Sequence, residues 1–427
     1  MCFKVFKNTV LLFVLLTISC ACGNDTKTLN KTSEIALKKV INKKKTDTLL
    51  TVGANRTKRY LSILKGKRIA VVANQTSVIY KNRIKNHLVT KNTKYVHLVD
   101  SLLKLGVNVK KVFAPEHGFR GIANAGELVK DSIDTKTGLL IISLYGKQKK
   151  PSQKHLKDID LVVFDIQDVG VRFYTYISSL HYVMEACAEQ NKPLLILDRP
   201  NPNGHYIDGP ILQKKYSSFV GLHPVPVVHG MTIGEYAKMI NGEGWLKNGI
   251  KCDLSVIKVK NYTHNMPYSL AIKPSPNLPN DKSINLYPSL CFFEGTNVSI
   301  GRGTDKPFQI IGVPFYHLEK HQLNFIPYPN EGAKYPKHEG KVCNGYDLSK
   351  TKTLNRLDLK WLIQFYKDNK IYAKENTFFN SFFTKLAGTK QLQRQIEFGL
   401  GESEIRATWQ KGLKSYKKMR KPYLIYD

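Results

Sequence analysis

The stretch VNVKKVFAPEHGFRG, residues 107–121, places an apolar, β-branched run directly before a dense group of polar and glycine residues. The run predicts a buried strand, and the break at Pro115 predicts the loop at the carboxyl end of that strand. In open α/β sheets, ligands bind in the crevice outside the carboxyl ends of the strands. Glu116, with His117 and Arg120 beside it, is therefore expected to lie near the centre of a cleft.

Further apolar runs predict the other strands of the same sheet, and helical patterns separate them. These runs cover residues 67–73, 139–144, 160–166, 194–197 and 253–259. They are continuous rather than alternating, which is typical of strands that are covered on both faces. Strands that alternate with helices favour a mostly parallel sheet with crossover helices. The predicted fold class is therefore α/β, with helices on both faces of the sheet.

The first 22 residues have the pattern of an export signal. Two lysines precede an apolar core at residues 10–18, and this core is too short to span a membrane. It ends in SCACGN, residues 19–24, which resembles a bacterial lipoprotein processing site. Cys20 and Cys22 both follow a small residue, so both are candidates for lipidation, and an ordinary cleaved signal is the alternative. In either case we expect an exported protein.

Residues 23–55 are rich in Lys, Thr and Asn, which is typical of a flexible tether. After the tether we expect a catalytic domain over residues 56–285 and a smaller C-terminal domain over residues 286–427. The boundary is placed just after the proline-rich loop PSPNLPN at residues 274–280, because this loop can continue neither a helix nor a central strand. An anchor followed by a tether predicts a membrane-anchored lipoprotein of the cell envelope, facing the periplasm or the cell exterior.

The chain carries a formal net charge of +33. Such a charge indicates an anionic partner, such as acidic lipid or an anionic glycan, or else a lysine bias spread over solvated faces. No arginine-rich run and no nucleic-acid-binding motif occurs, so nucleic acid is not expected. The four cysteines that follow the predicted export signal are Cys187, Cys252, Cys291 and Cys343. They are too widely spaced for a zinc site, and their spacing assigns no disulfide.

Several classes of enzyme lack their sequence signatures here. No Gly-x-Gly-x-x-Gly follows the first strand, and no P-loop or Gly-x-Ser-x-Gly elbow occurs. Dinucleotide-dependent enzymes, ATPases and serine hydrolases are therefore not supported. No metal-ligand spacing is present either. We expect neither a cofactor nor a metal.

Carboxylates in the predicted cleft loops are the chemistry that remains. They are Glu116, Glu127, Asp165, Asp168, Asp198 and Glu294. Glycoside hydrolysis needs a proton donor for the leaving oxygen and a second group at the oxocarbenium-like centre. Glu116 is the predicted proton donor. The alternative is that Glu116 only holds the turn through hydrogen bonds to backbone amides. Asp165 or Asp168 is a candidate for the second role, and a purely structural ion pair is an equal alternative.

Taken together, the ordered motifs resemble a known family, the exo-β-N-acetylmuramidases that were formerly grouped as a domain of unknown function. The motifs are FAPEHGFRG, FDIQDVGVRFYTY, LDRPNPNG, DGPIL, VHGMTIGEYA, PSPNLPN and FFEGTNVSIGRGTDKPFQIIG. The resemblance implies a Rossmann-like catalytic domain without a nucleotide and a smaller C-terminal α+β domain. It implies hydrolysis of terminal N-acetylmuramic acid from the non-reducing end of peptidoglycan fragments, with Glu116 as the catalytic acid.

Muramic acid carries a lactyl carboxylate, so its site should present a cation, preferably an arginine with its bidentate fork. Four arginines fall in the predicted cleft loops: Arg120, Arg172, Arg199 and Arg302. The same loops supply the other residues that we expect to bind substrate, which are His117, Glu127, Tyr174, Tyr176, Asn201, His229, Asn277, Glu294 and Asn297. For Tyr145 and the aromatic group at 173–176, a sugar-stacking wall and ordinary core packing are the competing interpretations.

Two other functions are compatible with these residues. One is an envelope lipoprotein that binds muropeptides without cleaving them, and the other is a nicotinamide-dependent glycosidase. Retaining, inverting and substrate-assisted chemistry all remain open, because the choice depends on the separation of the carboxylates.

Overall fold

The computed structural model describes residues 49–81, 93–121, 131–316, 322–373 and 377–427. Residues 49–427 form one compact unit. The predicted signal peptide, Cys20, Cys22 and Glu127 lie outside the described residues. Within the described ranges, no helix combines the length and the apolar character that crossing a membrane requires.

A seven-stranded sheet forms the centre of the molecule. Its strands are β1 (Ile69–Ala73), β4 (Val109–Ala114), β5 (Ser132–Ile133), β6 (Leu140–Ser143), β7 (Leu161–Asp165), β8 (Leu194–Leu197) and β9 (Leu254–Ile257). Their spatial order is β5-β6-β4-β1-β7-β8-β9. Only the edge pair β5–β6 is antiparallel. A separate antiparallel pair joins β2 (Val78–Tyr80) and β3 (Tyr95–His97). The prediction of a mostly parallel sheet is confirmed.

Helices cover both faces of this sheet because its strands are apolar on both sides. Side chains of β1 alternate between two cores, so that Ala70 and Val72 face one and Val71 and Ala73 face the other. The first core includes helices α4 (Tyr176–Glu189) and α5 (Ile233–Gly242), and the second includes α1 (Leu61–Leu64) and α2 (Leu98–Lys104). The short helix α3 (Gln153–Leu156) precedes β7.

The smaller C-terminal domain combines a three-stranded antiparallel sheet with helices. The strands are β10 (Ile310–Val313), β11 (Leu323–Phe325) and β12 (Cys343–Asp347), in the order β10-β12-β11. The helices are α6 (Asp281–Leu290), α7 (Lys360–Tyr372), α8 (Ser381–Ala387), α9 (Gln391–Glu397) and α10 (Glu402–Arg420). The sequence spacing places Ile405, Trp409, Leu413 and Tyr416 on one stripe of α10, and all four are buried in the first core.

From the sequence, Thr232 and Glu235 are predicted to form a capping box, and Ser403 is predicted to cap the last long helix. The structure confirms the first prediction and corrects the second. Thr232 and Glu235 form the expected capping box of α5, with Glu235 N donating to Thr232 Oγ1. Helix α10 begins at Glu402, so Ser403 lies in its first turn and does not cap it. Instead, Glu404 Oε2 accepts the Gly401 backbone N–H at 2.7 Å.

Residues 49–55, predicted as the end of the tether, are part of the folded unit. Thr51 pairs with Lys260 in an antiparallel bridge, and Gly53 N donates to Asp198 O at 2.8 Å. Val52 and Ala54 are completely buried. A Cβ on Gly53 would lie 2.5 Å from Asp198 N, so this close approach of two backbones requires glycine. The segment is ordered because its backbone bonds to the end of the sheet.

Candidate active site

A cleft of about 440 Å³ lies between the carboxyl edge of the sheet and the C-terminal domain. From the first part of the chain its lining includes Glu116, His117, Tyr145, Tyr174, Thr175, Phe219 and Asn277. From the second it includes Glu294, Arg302, Phe308, Lys334, Tyr335 and Phe382. The predicted position of Glu116 in a cleft is confirmed.

The backbone after β4 turns sharply, which brings Glu116 to the cleft. His117 and Gly118 both have left-handed backbone conformations, with φ values of 71° and 74°. Glycine adopts this conformation without strain, and histidine is among the residues enriched there. Gly118 N donates to Pro115 O at 3.1 Å and closes the turn. The PEHG sequence is therefore a tight turn that holds its acid at a fixed position.

Thr175 links this turn to the loop after β7. Its hydroxyl donates to Glu116 Oε2 at 2.8 Å. In the sheet, β1 lies between β4 and β7, so the two loops leave from opposite sides of the central strand. This is the point where the strand order reverses and where open α/β sheets bind ligands.

Tyr145 lines the cleft together with Glu116 and Glu294. Burial raises the pKa of Tyr145, and the neighbouring carboxylate of Glu116 raises it further, with a smaller contribution from Glu294. At neutral pH the side chain is thus a neutral phenol and a hydrogen-bond donor.

Glu294 and Arg302 form an ion pair on the wall contributed by the C-terminal domain. Glu294 Oε1 accepts a hydrogen bond from Arg302 Nε at 3.1 Å and another from Nη2 of the same guanidinium. The guanidinium carbon lies 5.2 Å from the centroid of the Phe308 ring. The pair brings one negative and one positive group to the same side of the cleft.

Two other predicted binding residues line the cleft and are fixed by backbone carbonyls. Tyr174 OH donates to Pro274 O at 2.8 Å. Asn277 Nδ2 donates to Gly332 O at 2.6 Å and so connects the PSPNLPN loop to the C-terminal domain.

Three of the four predicted arginines are occupied elsewhere, which corrects the expectation that all four face the cleft. Arg120 binds Asp134 through Nε and Nη2, and Nη2 also contacts Asp100 at 3.1 Å. Arg199 binds Asp165 through two hydrogen bonds of 2.6 and 2.8 Å, and both side chains are buried. Asp165 is therefore half of an internal ion pair and does not line the cleft.

Arg172 is fully buried and bonds to the backbone of distant segments. Its Nη1 donates to the carbonyls of Pro210 and Val225, and its Nη2 donates to those of Leu386 and Ala387, all within 2.9 Å. The guanidinium thus ties the end of α8 to the sheet domain, and it does not line the cleft.

Asp168 and His229 are also buried behind the cleft. Asp168 Oδ2 accepts the Gly170 backbone N–H at 2.6 Å and lies 3.8 Å from His229 Nε2. Burial raises the pKa of Asp168 to about 7 and lowers that of His229 to about 3. Near pH 7 the histidine is therefore neutral. Asp168 was predicted as a carboxylate of the cleft, but it lies outside the described cleft lining.

The remaining predicted residues have structural partners outside the cleft lining. Asn201 donates to Met231 O and fills the space above Gly170, where a Cβ would lie 2.2 Å from Asn201 Oδ1. Tyr176 accepts from Asn74 Nδ2 at 2.8 Å. Asn297 Nδ2 donates to Asn369 Oδ1 at 2.8 Å.

Thr175, Lys334 and Tyr335 line the cleft and were absent from the predicted binding residues. Thr175 belongs to the FYTY motif at residues 173–176, so its place in the cleft could have been predicted from the sequence. Lys334 and Tyr335 come from a segment with no motif of its own, and only the fold brings them to Glu116.

Two family models match the chain. The N-terminal model of exo-beta-N-acetylmuramidase NamZ matches residues 69–282, and the C-terminal model matches residues 285–426. The chain belongs to the NamZ family of exo-β-N-acetylmuramidases.

Relatives of known name and structure agree with this assignment. The peptidoglycan beta-N-acetylmuramidase NamZ of Bacillus subtilis (strain 168) is 40% identical over 385 residues, covering 86% of this chain and 89% of that protein. Crystal structures of two DUF1343 family proteins from Bacteroides fragilis have TM-scores of 0.77 and 0.74, at 46% and 29% identity. They cover 88% and 89% of this chain, and the matches span 99% and 100% of the crystallised chains. The resemblance drawn from the motifs, and the glycosidase class that it implied, are confirmed.

Proposed function

We propose that this chain is an exo-acting glycoside hydrolase that releases terminal N-acetylmuramic acid from the non-reducing end of peptidoglycan fragments in cell-wall turnover. The NamZ family models and the B. subtilis relative support this substrate. The observation that carries the reaction is the pair of carboxylates, Glu116 and Glu294, among the described residues of the cleft lining. Glycosidases use two such groups on the scissile bond.

Glu116 is the general acid in this proposal. It follows a central strand directly, and Thr175 Oγ1 fixes its carboxyl group at 2.8 Å. A fixed carboxylic acid next to the leaving oxygen transfers its proton as the bond breaks. Tyr145, a neutral phenol that lines the same cleft, adds a hydrogen-bond donor there.

Glu294 takes the second role, which the sequence had assigned to Asp165 or Asp168. Its position in the cleft lining supports this change, since both aspartates are buried behind it. A carboxylate at this wall stabilises the positive charge that develops on the sugar ring. The Arg302 guanidinium fixes its orientation through the hydrogen bonds to Oε1.

The direct test is incubation of the purified chain with a chromogenic aryl β-N-acetylmuraminide. A hydrolase should release the aryl group without any added cofactor. A binding protein would release nothing, and a nicotinamide-dependent enzyme would release it only after NAD is added. A parallel assay with a disaccharide that carries muramic acid at its non-reducing end should yield free N-acetylmuramic acid.

We further propose that the protein is a lipoprotein of the cell envelope, anchored through Cys20 or Cys22. The apolar core at residues 10–18 and the small residues around both cysteines support this location. Replacing both cysteines by serine should move the protein from the membrane fraction to the soluble fraction while hydrolysis is retained. A doubly substituted protein that is still processed and still membrane-bound would refute the lipid anchor.

A further inference from the structure

The cleft must distinguish muramic acid from glucosamine if the proposed function holds, and the present inference rests on that function. N-acetylmuramic acid differs from N-acetylglucosamine by a lactyl ether on O3, which ends in a carboxylate. A cation with donors left over is the group that binds such a carboxylate most strongly. A site for the lactyl group therefore needs a cation whose N–H donors are not all used within the protein.

Arg302 and Lys334 are the lysine and arginine residues in the described lining of the cleft. Arg302 uses Nε and Nη2 on the same oxygen of Glu294. Its Nη1 has no hydrogen-bond partner among the described residues. The pairing with Glu294 and the contact with Phe308 fix the guanidinium plane, so Nη1 is presented in a defined direction.

Lys334 has no carboxylate partner in the described parts of the chain. Its Nζ lies 5.7 Å from the centroid of the Tyr335 ring, within the range of a cation–π contact. Lys273, on the neighbouring loop, differs in this respect, since its Nζ pairs with Glu331 at 3.2 Å. An unpaired ammonium beside an aromatic ring retains its donors for an anionic ligand.

The backbone before Lys334 is held in place by hydrogen bonds. Asn330 and Ala333 exchange two backbone hydrogen bonds of 3.0 and 3.1 Å. Gly332 O accepts from Asn277 Nδ2 at 2.6 Å, and Gly332 N donates to Asn330 Oδ1 at 3.1 Å. This turn joins the lysine to a loop of the sheet domain that itself lines the cleft.

We propose that Lys334, together with Nη1 of Arg302, binds the lactyl carboxylate and determines the specificity for muramic acid. Both cations would donate charge-assisted hydrogen bonds to the carboxylate. The lysine acts as a point charge, and the arginine donates in a direction that its planar guanidinium fixes. Loss of one such contact is expected to lower kcat/KM by about 10–100-fold.

The experiment removes the charge on the protein and on the substrate separately. The substrates are an aryl β-N-acetylmuraminide and the same compound with its lactyl carboxylate converted to a neutral carboxamide. The wild-type protein should prefer the acid. Lys334→Gln should lose about 10–100-fold in kcat/KM on the acid and change little on the carboxamide, and Lys334→Arg should recover much of the preference. Lys341→Gln, at an exposed lysine of the same domain, is the matched control and should behave as wild type.

Calorimetric titration with N-acetylmuramic acid tests the same contact without turnover. Its affinity should fall in Lys334→Gln and stay unchanged in Lys341→Gln. An unchanged affinity, or equal losses on the acid and the carboxamide, would overturn the assignment of Lys334. If the wild type binds the sugar through Lys334 but hydrolyses neither substrate, the hydrolase proposal fails while the carboxylate site stands.

Discussion

The loops after β4 and β7 look alike in sequence and differ in the folded protein. Each begins where a buried strand ends, and each carries acidic and basic residues within a few positions. After β4, Glu116 reaches the cleft, whereas after β7 the side chains of Asp168 and Arg172 turn inward and are buried. Residues 173–175, farther along the same loop, line the cleft again.

This difference shows that polar residues at the end of a strand serve two physical purposes. A buried polar group must find hydrogen-bond partners, because leaving it unpaired costs about 1–3 kcal/mol or more. Arg172 finds four carbonyl oxygens, and Asp165 finds the fork of Arg199. Such residues hold the loops in place, and the few that face the cleft are available for chemistry.

The largest expected effect comes from the cleft side of the comparison. Glu116→Gln keeps the shape of the side chain but delivers no proton to the leaving oxygen. Hydrolysis of a natural disaccharide should fall by about 10²–10⁴-fold. An aryl substrate with an activated leaving group needs less protonation, so its rate should fall less. Both rates should be measured together with the melting temperature, which we expect to be unchanged.

Equal losses on the two substrates would contradict the assignment of Glu116 as the acid. A parallel fall in melting temperature would then indicate that the side chain only holds the turn. Glu294→Gln provides the comparison within the cleft, because it removes the other carboxylate while leaving Glu116 in place.

The next effect tests the buried side. Arg199→Met leaves Asp165 as a buried carboxylate without its partner, which should lower the free energy of unfolding by about 3–5 kcal/mol. Replacing both residues, as Arg199→Met with Asp165→Leu, should recover most of this loss. Denaturant unfolding at pH 7 measures both variants. If Arg199 instead bound the lactyl group, the single variant would change substrate preference and leave the stability intact.

The last prediction concerns the pH dependence of stability. The pKa of Asp168 is about 7 in the folded protein and about 3.9 in an unfolded chain. The folded state therefore binds more protons between these values, and stability falls as pH rises from about 4 to about 7. Asp168→Asn removes this titration, so its stability relative to wild type should increase across that window and level off above it.

Asp168→Asn also tests whether the role of Asp168 is structural or catalytic. Unfolding free energies should be measured at several pH values between about 4 and 8, together with hydrolysis at one fixed pH. We expect hydrolysis to stay close to the wild-type rate because Asp168 lies outside the cleft lining. A large loss of hydrolysis without any change in the pH dependence would return Asp168 to the candidates for the second carboxylate.

Local sequence patterns predicted most of the sheet domain because they depend on local physics. Strand β8 was predicted at its observed bounds. The helical patterns of the sequence predict helices over about 97–105 and 177–190, which differ from α2 and α4 by one residue at each end. The tether was predicted too long, because residues 49–55 have no helix or strand period and their order comes from bonds to Asp198 and Lys260. The N-cap of α10 was predicted wrongly. Serine is a residue type that N-caps favour, but the helix starts before Ser403, with Gly401 as its N-cap.

The sequence by itself determined the alternation of strands and helices, the turn that presents Glu116, and the family motifs. Each of these depends on neighbours within a few residues. The tertiary structure alone decided which charged side chains face the cleft. Arg172 meets carbonyls more than 200 residues away, and Lys334 reaches the cleft from a segment without a motif. A charged side chain takes its hydrogen-bond partners from whatever groups lie near it in space, and only the folded chain determines which groups those are.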